Sequence, residues 1–143
     1  AKIVAVIAVD TFTRELIEAS GEFVVNVPTA KMIDAVYAAG QVSGEDVDKL
    51  ATLALATSPA SIVAAPLIDG CAAWLECRLI REPHAEDAYD SCFGEVIAAA
   101  ADRRVFVGGR WSFDESNRAL QTIHHLGGGN FVVPGGTVGA KPL

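Results

Sequence analysis

Residues 72–80, Ala72-Ala73-Trp74-Leu75-Glu76-Cys77-Arg78-Leu79-Ile80, form the stretch that decides the fold. The run is rich in large apolar side chains, which favours one long strand. A polar segment, residues 82–87, follows and predicts a turn, after which residues 89–100 return as a second strand. The sequence therefore predicts a long β-hairpin. Gly94, inside the return strand, indicates a bulge or a close approach between two backbones.

Upstream of this hairpin, strands and helices alternate. Residues 2–9 are apolar and β-branched, which predicts a strand buried on both faces. Asp10 or Thr11 can cap the helix that follows, and Ser20-Gly21 ends it. Residues 23–27 form a strand closed by Pro28. A second helix, with apolar residues at helical spacing, runs to a stop at Gly40.

Downstream of the hairpin the pattern is shorter and less regular. Residues 104–107 predict a short strand, residues 115–125 are weakly helical, and residues 130–133 form a last strand after three glycines. Early alternation of helices and strands, followed by hairpins, predicts an α+β chain with a mainly antiparallel sheet. A small barrel with helices at its edge suits this order, because closure hides strand edges. No repeat or linker divides residues 1–143, so one domain is expected.

Composition and charge exclude several classes of function. The chain has 143 residues and 18 acidic against 11 basic side chains, a net charge of −7 that argues against a nucleic-acid partner. Its longest apolar runs, residues 3–9 and 62–68, fall short of the ~20 residues of a membrane helix. The start lacks the order of a signal peptide, and the three cysteines are expected to be reduced and largely buried. These features predict a cytoplasmic protein.

The stretch Gly40-Gln41-Val42-Ser43-Gly44-Glu45-Asp46-Val47-Asp48-Lys49 is the candidate functional segment. Ser43 is placed to cap a third helix over residues 43–56, with Asp46 three positions later as in a capping box. A helix start attracts anions through its free N–H groups and its dipole, and Lys49 adds a mobile cation. The alternative is a plain structural cap, because Glu45 and Asp46 would repel a phosphate.

Five motifs in order give the chain a family resemblance that covers almost its whole length. They are Leu16-Ile17-Glu18-Ala19-Ser20-Gly21-Glu22-Phe23-Val24-Val25-Asn26-Val27-Pro28, the stretch from Gly40 to Lys49, Ala65-Pro66-Leu67-Ile68, Leu75-Glu76-Cys77 and Phe93-Gly94-Glu95-Val96. In this order and spacing they resemble the flavin reductase-like family, which includes the flavoredoxins. The resemblance implies an FMN-binding split β-barrel of Greek-key type with peripheral helices. It also implies a homodimer with the flavin near the subunit interface.

Carried over by the resemblance, the cofactor-binding residues fall in two segments. Thr11 and Thr13 would direct hydroxyls toward the phosphate, and Lys49 would meet its charge. Gly40, Gln41, Val42 and Ser43 would present backbone and side-chain groups to the flavin. Family members usually carry further strands before the point where this chain starts, and those strands hold part of the ring site. Asp10 stands where an arginine often precedes the first threonine, so the phosphate site departs from the family pattern there.

Three functions follow as hypotheses. The first is an FMN-dependent oxidoreductase, a flavin reductase that moves electrons from NAD(P)H to flavin or to a downstream acceptor. The second is a flavoredoxin-type carrier that serves a protein partner and does not oxidise nicotinamide. The third is a non-catalytic dimeric barrel that has lost flavin binding. In the first two cases the flavin supplies the redox chemistry, so no catalytic side chain is predicted. No metal site is predicted either, because neighbouring residues such as His124 and His125 point in different directions.

Overall fold

Strands and short helices alternate along residues 1–141, the part of the chain that this computed structural model describes. The strands are β1 Lys2–Val6, β2 Glu22–Val27, β3 Thr57–Ser58, β4 Leu67–Ile68, β5 Ala73–Ile80, β6 Ser91–Ala101, β7 Phe106–Val107, β8 Arg110–Trp111, β9 His124–Gly127 and β10 Asn130–Val132. The α-helices are α1 Phe12–Ser20, α2 Ile33–Ala39, α3 Lys49–Thr52 and α4 Pro83–Tyr89. Two 3₁₀ helices cover Ala30–Met32 and Glu115–Leu120.

The main sheet has the strand order β1-β6-β5-β2, and all its pairings are antiparallel. The predicted hairpin of β5 and β6 is its centre, with register from Ile80↔Phe93 to Ala73↔Ala101 and one irregularity next to Glu76. Three two-stranded sheets, β3–β4, β7–β8 and β9–β10, lie outside it. The prediction of an α+β chain with a mainly antiparallel sheet is confirmed.

The connection between β5 and β6 differs from the prediction. Residues 82–87 were expected to form a polar turn, but α4 begins at Pro83 and ends where Asp90 adopts a left-handed conformation, at φ 52°. Proline at a first helical position has a suitable φ and no N–H to satisfy, so it starts a helix readily. The prediction of a turn is therefore wrong.

The core lies between α1 and one face of the main sheet. Ile17 of α1, Phe23 of β2, Cys77 of β5 and Cys92 of β6 are all at most 7% exposed and form one cluster. The predicted helix boundaries of α1 are confirmed: Thr11 caps it, and Gly21 closes it in the left-handed region at φ 72°. All three cysteines are free and buried, as predicted.

β1 is an edge strand, so the prediction that it is buried on both faces is wrong. Its residues alternate between exposed and half-buried, and Val4 and Val6 are 56% and 76% exposed. β6 pairs with one side of β1, and among the described residues no strand pairs with the other. A β-branched sequence fits a strand in either setting, which is why the sequence pattern did not separate a central strand from an edge.

Candidate functional site

The start of α1 is the clearest anion-binding feature among the predicted site residues. The Thr11 hydroxyl donates to the Ala8 carbonyl at 2.8 Å and accepts from the Arg14 N–H at 3.3 Å, so this side chain holds the helix start in place. The backbone N–H groups of Phe12 and Thr13 have no acceptor among residues 1–141. The exposed Thr13 hydroxyl likewise makes no hydrogen bond within that range. Three donors and the positive end of a nine-residue helix are therefore available together.

The second predicted segment does not form the expected helix. Residues 43–47 are turn and loop, and α3 covers only Lys49–Thr52, with Asp48 rather than Ser43 as its N-cap. The Ser43 hydroxyl accepts from the Glu45 N–H at 3.1 Å, which closes a local turn. Ser and Asp side chains form local hydrogen bonds with nearby backbone N–H groups and so compete with helical hydrogen bonding. Here the bond at Ser43 stabilises a turn, and no helix begins at this residue. The prediction of a helix over residues 43–56 is wrong, so Ser43 does not supply a helix start.

Lys49 holds two elements together. Its Nζ donates to the Ala39 carbonyl at 2.7 Å, so the ammonium satisfies a carbonyl at the end of α2. A cation at a helix C-terminus also complements the dipole there. Lys49 was interpreted as a mobile cation, but in the structure this hydrogen bond fixes the position of its ammonium group.

A cavity of about 520 Å³ lies between α1 and the segment that follows α2. Thr13 and Lys49 both line it, so the structure brings together one residue from each predicted segment. The other five predicted residues do not line this cavity: Thr11, Gly40, Gln41, Val42 and Ser43. Glu45, Asp46 and Asp48 stand on its wall beside the one lysine, which gives the wall a negative charge.

These donors fit a phosphate monoester at the α1 end of the cavity. The two free N–H groups and the Thr13 hydroxyl are the kind of donors that bind phosphate at helix starts. The acidic wall lies on the opposite side, formed by the segment after α2. The α1 start thus carries donors of the kind that a phosphate needs, and the acidic residues Glu45, Asp46 and Asp48 line the same cavity.

A buried ion-pair network that sequence reasoning missed positions α1. Arg14 is 2% exposed and contacts Glu18 at 2.6 Å, the Ile7 carbonyl at 3.3 Å and Glu86 of α4 at 3.8 Å. Arg81 donates to both Glu86 oxygens, at 3.2 and 3.0 Å. The i,i+4 spacing of Arg14 and Glu18 was the available signal.

A second buried carboxylate, Glu76 of β5, holds the segment before β4 against the sheet. It accepts from the Ser61 hydroxyl at 2.6 Å and from the N–H groups of Ser61, Ile62 and Val63 at 2.7–3.2 Å. The Ser61 hydroxyl, with these N–H groups, lowers the pKa of Glu76 to about 2, although burial acts in the opposite direction. The resemblance included Glu76 in a motif without showing what it binds.

The remaining reactive side chains are poorly placed for catalysis. Burial raises the pKa of all three cysteine thiols, that of Cys71 to about 11, so they remain protonated and unreactive. His125 packs between Tyr37 and Phe131, at ring distances of 6.3 and 4.8 Å. Within residues 1–141 no group of three or more potential metal ligands of the His, Cys, Asp or Glu type is found. The described helices are likewise too short or too polar to cross a bilayer.

Comparison with known proteins assigns the fold. Residues 1–110 match the flavin reductase like domain. The uncharacterized protein YddH of Escherichia coli K12 is 43% identical over 140 residues, which are 97% of this chain and 73% of that protein. The crystal structure of an FMN-binding domain of a flavin reductases-like enzyme from Shewanella baltica is 36% identical, with a TM-score of 0.93 over 98% of this chain and 74% of that one.

A flavoredoxin of Desulfovibrio vulgaris is similar in fold, with a TM-score of 0.81 and 21% identity over 97% of this chain and 73% of the flavoredoxin. The antiparallel main sheet is thus the curled sheet of a split β-barrel, as the resemblance implied. The length of the domain match and the identity to the Escherichia coli relative show that this chain belongs to the flavin reductase-like family.

Proposed function

We propose that this chain binds FMN and acts as a flavin reductase-like oxidoreductase that passes electrons from NAD(P)H to flavin or to a downstream acceptor. The observation that carries the proposal is the start of α1, where Phe12 and Thr13 line a cavity and their N–H groups have no acceptor among residues 1–141, in a chain of this family. FMN ends in a phosphate, and that group needs donors of this kind.

Each predicted residue has a proposed part in binding. Thr13 and the N–H groups of Phe12 and Thr13 donate to the phosphate oxygens. Thr11 acts on the same group indirectly, because its hydroxyl fixes the geometry of the helix start. Lys49 adds positive charge from a fixed place on the cavity wall. Gly40, Gln41, Val42 and Ser43 lie at the end of α2 and in the loop after it; the N–H groups of Gly40 and Gln41 bond to α2, so their proposed contact with the ring uses other atoms.

The isoalloxazine ring, when bound, supplies the redox chemistry, and the protein contributes binding and orientation. No side chain near the α1 start is placed as an acid or a nucleophile. The acids at the cavity wall act on affinity, since Glu45, Asp46 and Asp48 repel a phosphate dianion. Removing one of them should therefore strengthen FMN binding.

Titration with FMN tests the binding half of the proposal. Thr13→Val removes a phosphate donor and should weaken FMN about 5- to 30-fold, the value of a hydrogen bond to a charged group at ~1–2 kcal/mol. Thr52→Val, at an exposed threonine of α3 that does not line the cavity, is the matched control and should leave affinity unchanged. Asp46→Asn should tighten binding. A wild-type protein that stays colourless after repeated reconstitution would refute the proposal.

A flavoredoxin-type electron carrier is the second proposed function, and the charge of the cavity favours it. A nicotinamide dinucleotide carries a pyrophosphate, and the only cation on the described cavity wall, Lys49, is already hydrogen-bonded to Ala39. Anaerobic mixing with NADH or NADPH separates the two functions. Bleaching of the bound flavin establishes the reductase, whereas flavin reduced by dithionite or a protein donor but not by NAD(P)H establishes the carrier.

We also propose that the protein is a homodimer, the assembly that the family resemblance implies. The exposed apolar side chains of β1, Val4 and Val6, are of the type that a subunit contact would cover. Native mass spectrometry at micromolar concentration should show twice the chain mass, with and without FMN. A dimer that never binds flavin would instead identify the non-catalytic barrel.

A further inference from the structure

A flat-floored slot of about 360 Å³ lies at the far end of the β5–β6 hairpin from α4. Ala73 pairs with Ala101 and Leu75 pairs with Ala99, so these four side chains lie on one face of the two strands. Three of the four are alanine, which projects no atom beyond Cβ. The floor is therefore smooth and apolar, and it leaves an open space above the sheet.

An aromatic wall rises beside this floor. Phe106 and Trp111 are paired across the β7–β8 hairpin, with ring centres 5.2 Å apart at 78°, and both line the slot. Phe113 stacks behind Trp111 at 5.5 Å and 14°. The two slot-lining rings remain 36% and 43% exposed, so part of each ring is accessible to a ligand.

The wall is held rigidly. Gly108 and Gly109 take positive φ of 60° and 78°, the conformation that a tight two-residue hairpin turn requires. Asn117 Nδ2 donates to the Arg104 and Ser112 carbonyls at 3.0 and 2.8 Å, which ties together the segments on both sides of the hairpin. A preformed wall lowers the entropy cost of binding a ligand against it.

The rim of the slot carries one positive charge in an acidic protein. Arg103 lines the slot, and its guanidinium makes no hydrogen bond or salt bridge with residues 1–141. Its neighbour Arg104 is neutralised by Asp102, at N–O distances of 2.5–3.0 Å. Among residues 1–141 no carboxylate side chain lines the slot, although the chain as a whole has a net charge of −7. An anion is thus favoured at this rim and disfavoured over most of the remaining surface.

We propose that this slot binds a small planar aromatic carboxylate, with its ring between the alanine floor and the aromatic wall and its carboxylate on Arg103. Flat apolar walls with one placed charged group are the usual composition of a small-molecule site. A guanidinium matches a carboxylate in shape as well as charge. The slot shares no lining residue with the cavity at α1, so this inference does not depend on FMN binding.

Isothermal titration with 2-naphthoate and its uncharged isostere 2-naphthamide tests the proposal on the full chain. Arg103→Gln should weaken 2-naphthoate about tenfold and leave 2-naphthamide unchanged. Arg110→Gln removes an exposed arginine of the β7–β8 hairpin that does not line the slot. It should leave the affinity for both probes unchanged. Ala99→Leu fills the slot and should weaken both probes at least tenfold. Circular dichroism checks that each variant folds. If Ala99→Leu does not fold, the binding data for Arg103→Gln alone test the proposal.

Four outcomes would overturn the proposal. Failure of wild-type protein to bind 2-naphthoate at millimolar concentration excludes an aromatic acid. Equal loss of both probes in Arg103→Gln shows that charge is not recognised. Competitive displacement of 2-naphthoate by FMN would make the slot part of the flavin site. A shift from dimer to monomer in Ala99→Leu, with no naphthoate binding to the wild type, would make it a contact between copies of this chain.

Discussion

At Gly94, β6 passes close to the middle of the core. A Cβ added there would lie 2.6 Å from Cζ of Phe23 and 3.2 Å from Cβ of Cys77. The first distance is shorter than van der Waals contact, and Phe23 is itself 7% exposed with little room to move. Gly94 is therefore required by space and not by its own backbone conformation.

Gly94→Ala should reduce the free energy of unfolding by about 1–3 kcal/mol, the usual cost of inserting a methyl group into a packed core. Urea denaturation followed by far-UV circular dichroism measures it. Gly139→Ala is the matched control, because a Cβ there meets no atom within 4 Å. A Phe23→Leu background should relieve part of the loss; equal costs in both backgrounds would show that Phe23 is not the obstacle.

Glu76 should make stability depend on pH in the acidic range. Its pKa lies at about 2 in the folded protein, below the ordinary 4.5, so its contribution is complete above about pH 4.5 and disappears as the pH falls toward 2. Glu76→Gln should lower the Tm by several degrees at pH 7. The difference from wild type should shrink at pH 3, which calorimetry across pH 3–7 would record. A difference independent of pH would mean that the charge has no part in it.

These two residues show what a sequence can reveal at this scale. Gly94 was predicted to mark a bulge or a close approach of a second backbone; a close approach is found there, but to the side chains of Phe23 and Cys77. The role of Glu76 was not predicted, because its partners are the Ser61 hydroxyl and three backbone N–H groups of residues 61–63, and any sequence supplies such N–H groups. Only the path of that segment across the sheet places them near one carboxylate.

Two helices far apart in sequence, α1 and α4, are joined through Glu86. This carboxylate is 2% exposed and accepts from Arg81, from the Glu82 N–H at 2.6 Å, and faces Arg14 at 3.8 Å. Burial alone would raise the pKa of Glu86, but the Arg81 and Glu82 hydrogen bonds and the two arginine charges lower it overall. The position of α1, and so of its N-terminal donors, depends on this contact.

Glu86→Gln should reduce the free energy of unfolding by about 1–3 kcal/mol, because it leaves buried Arg14 with less compensating charge. The difference in unfolding free energy between wild type and Glu86→Gln should be present at pH 7. It should decline below the ordinary carboxyl pKa, because the Glu86 carboxylate then contributes less to the stability of the wild type. Chemical denaturation at pH 7 and pH 3.5 measures both. Glu18→Gln, at the 40% exposed partner of Arg14, is the comparison and should cost less. An equal loss of stability in the two variants would show that the exposed pair of Arg14 and Glu18 contributes as much as the buried contact with Glu86.

Helix starts were the least predictable elements. The cap of α1 was predicted to be Asp10 or Thr11, and the structure has Thr11; the apolar face of that helix and the stop at Gly21 made its position predictable. Ser43 met the same local pattern but formed a turn, and Asp48 took over as the cap of a much shorter helix. A capping motif marks a residue at which a helix can begin. Whether the helix continues is decided by burial of an apolar face.

Across the whole molecule, FMN binding at α1 should stabilise the native state. At a ligand concentration 100 times the Kd, the free energy of unfolding should rise by about 2.7 kcal/mol, with a Tm increase of several degrees. A thermal-shift titration measures the increase, and Thr13→Val should need more FMN to reach it. Riboflavin, which lacks the phosphate, is the control; an equal shift with riboflavin would place the contribution at the ring and not at the α1 start.

The architecture followed from the periodicity of the sequence, and the family from its motifs. Long apolar runs joined by polar segments are enough to indicate antiparallel hairpins. The arrangement of the sheet was not visible, because the same β-branched run suits a central strand and the exposed edge that β1 forms. The slot beside Trp111 was also missed, since its floor joins residues of β5 and β6 with a hairpin that the sequence showed only as a short strand and a loop.

The strand order also has a consequence for how the chain folds. β5 and β6 are joined by one short helix, whereas the partners Lys2 and Glu95 are about 90 residues apart, so closing that loop carries a larger entropic cost. We expect the hairpin to nucleate folding and β1 to be added in a late step. Amide protons of β1 should then exchange with deuterium sooner than those of β5, and the open edge should be the first part of the sheet that a protease or an aggregating neighbour meets.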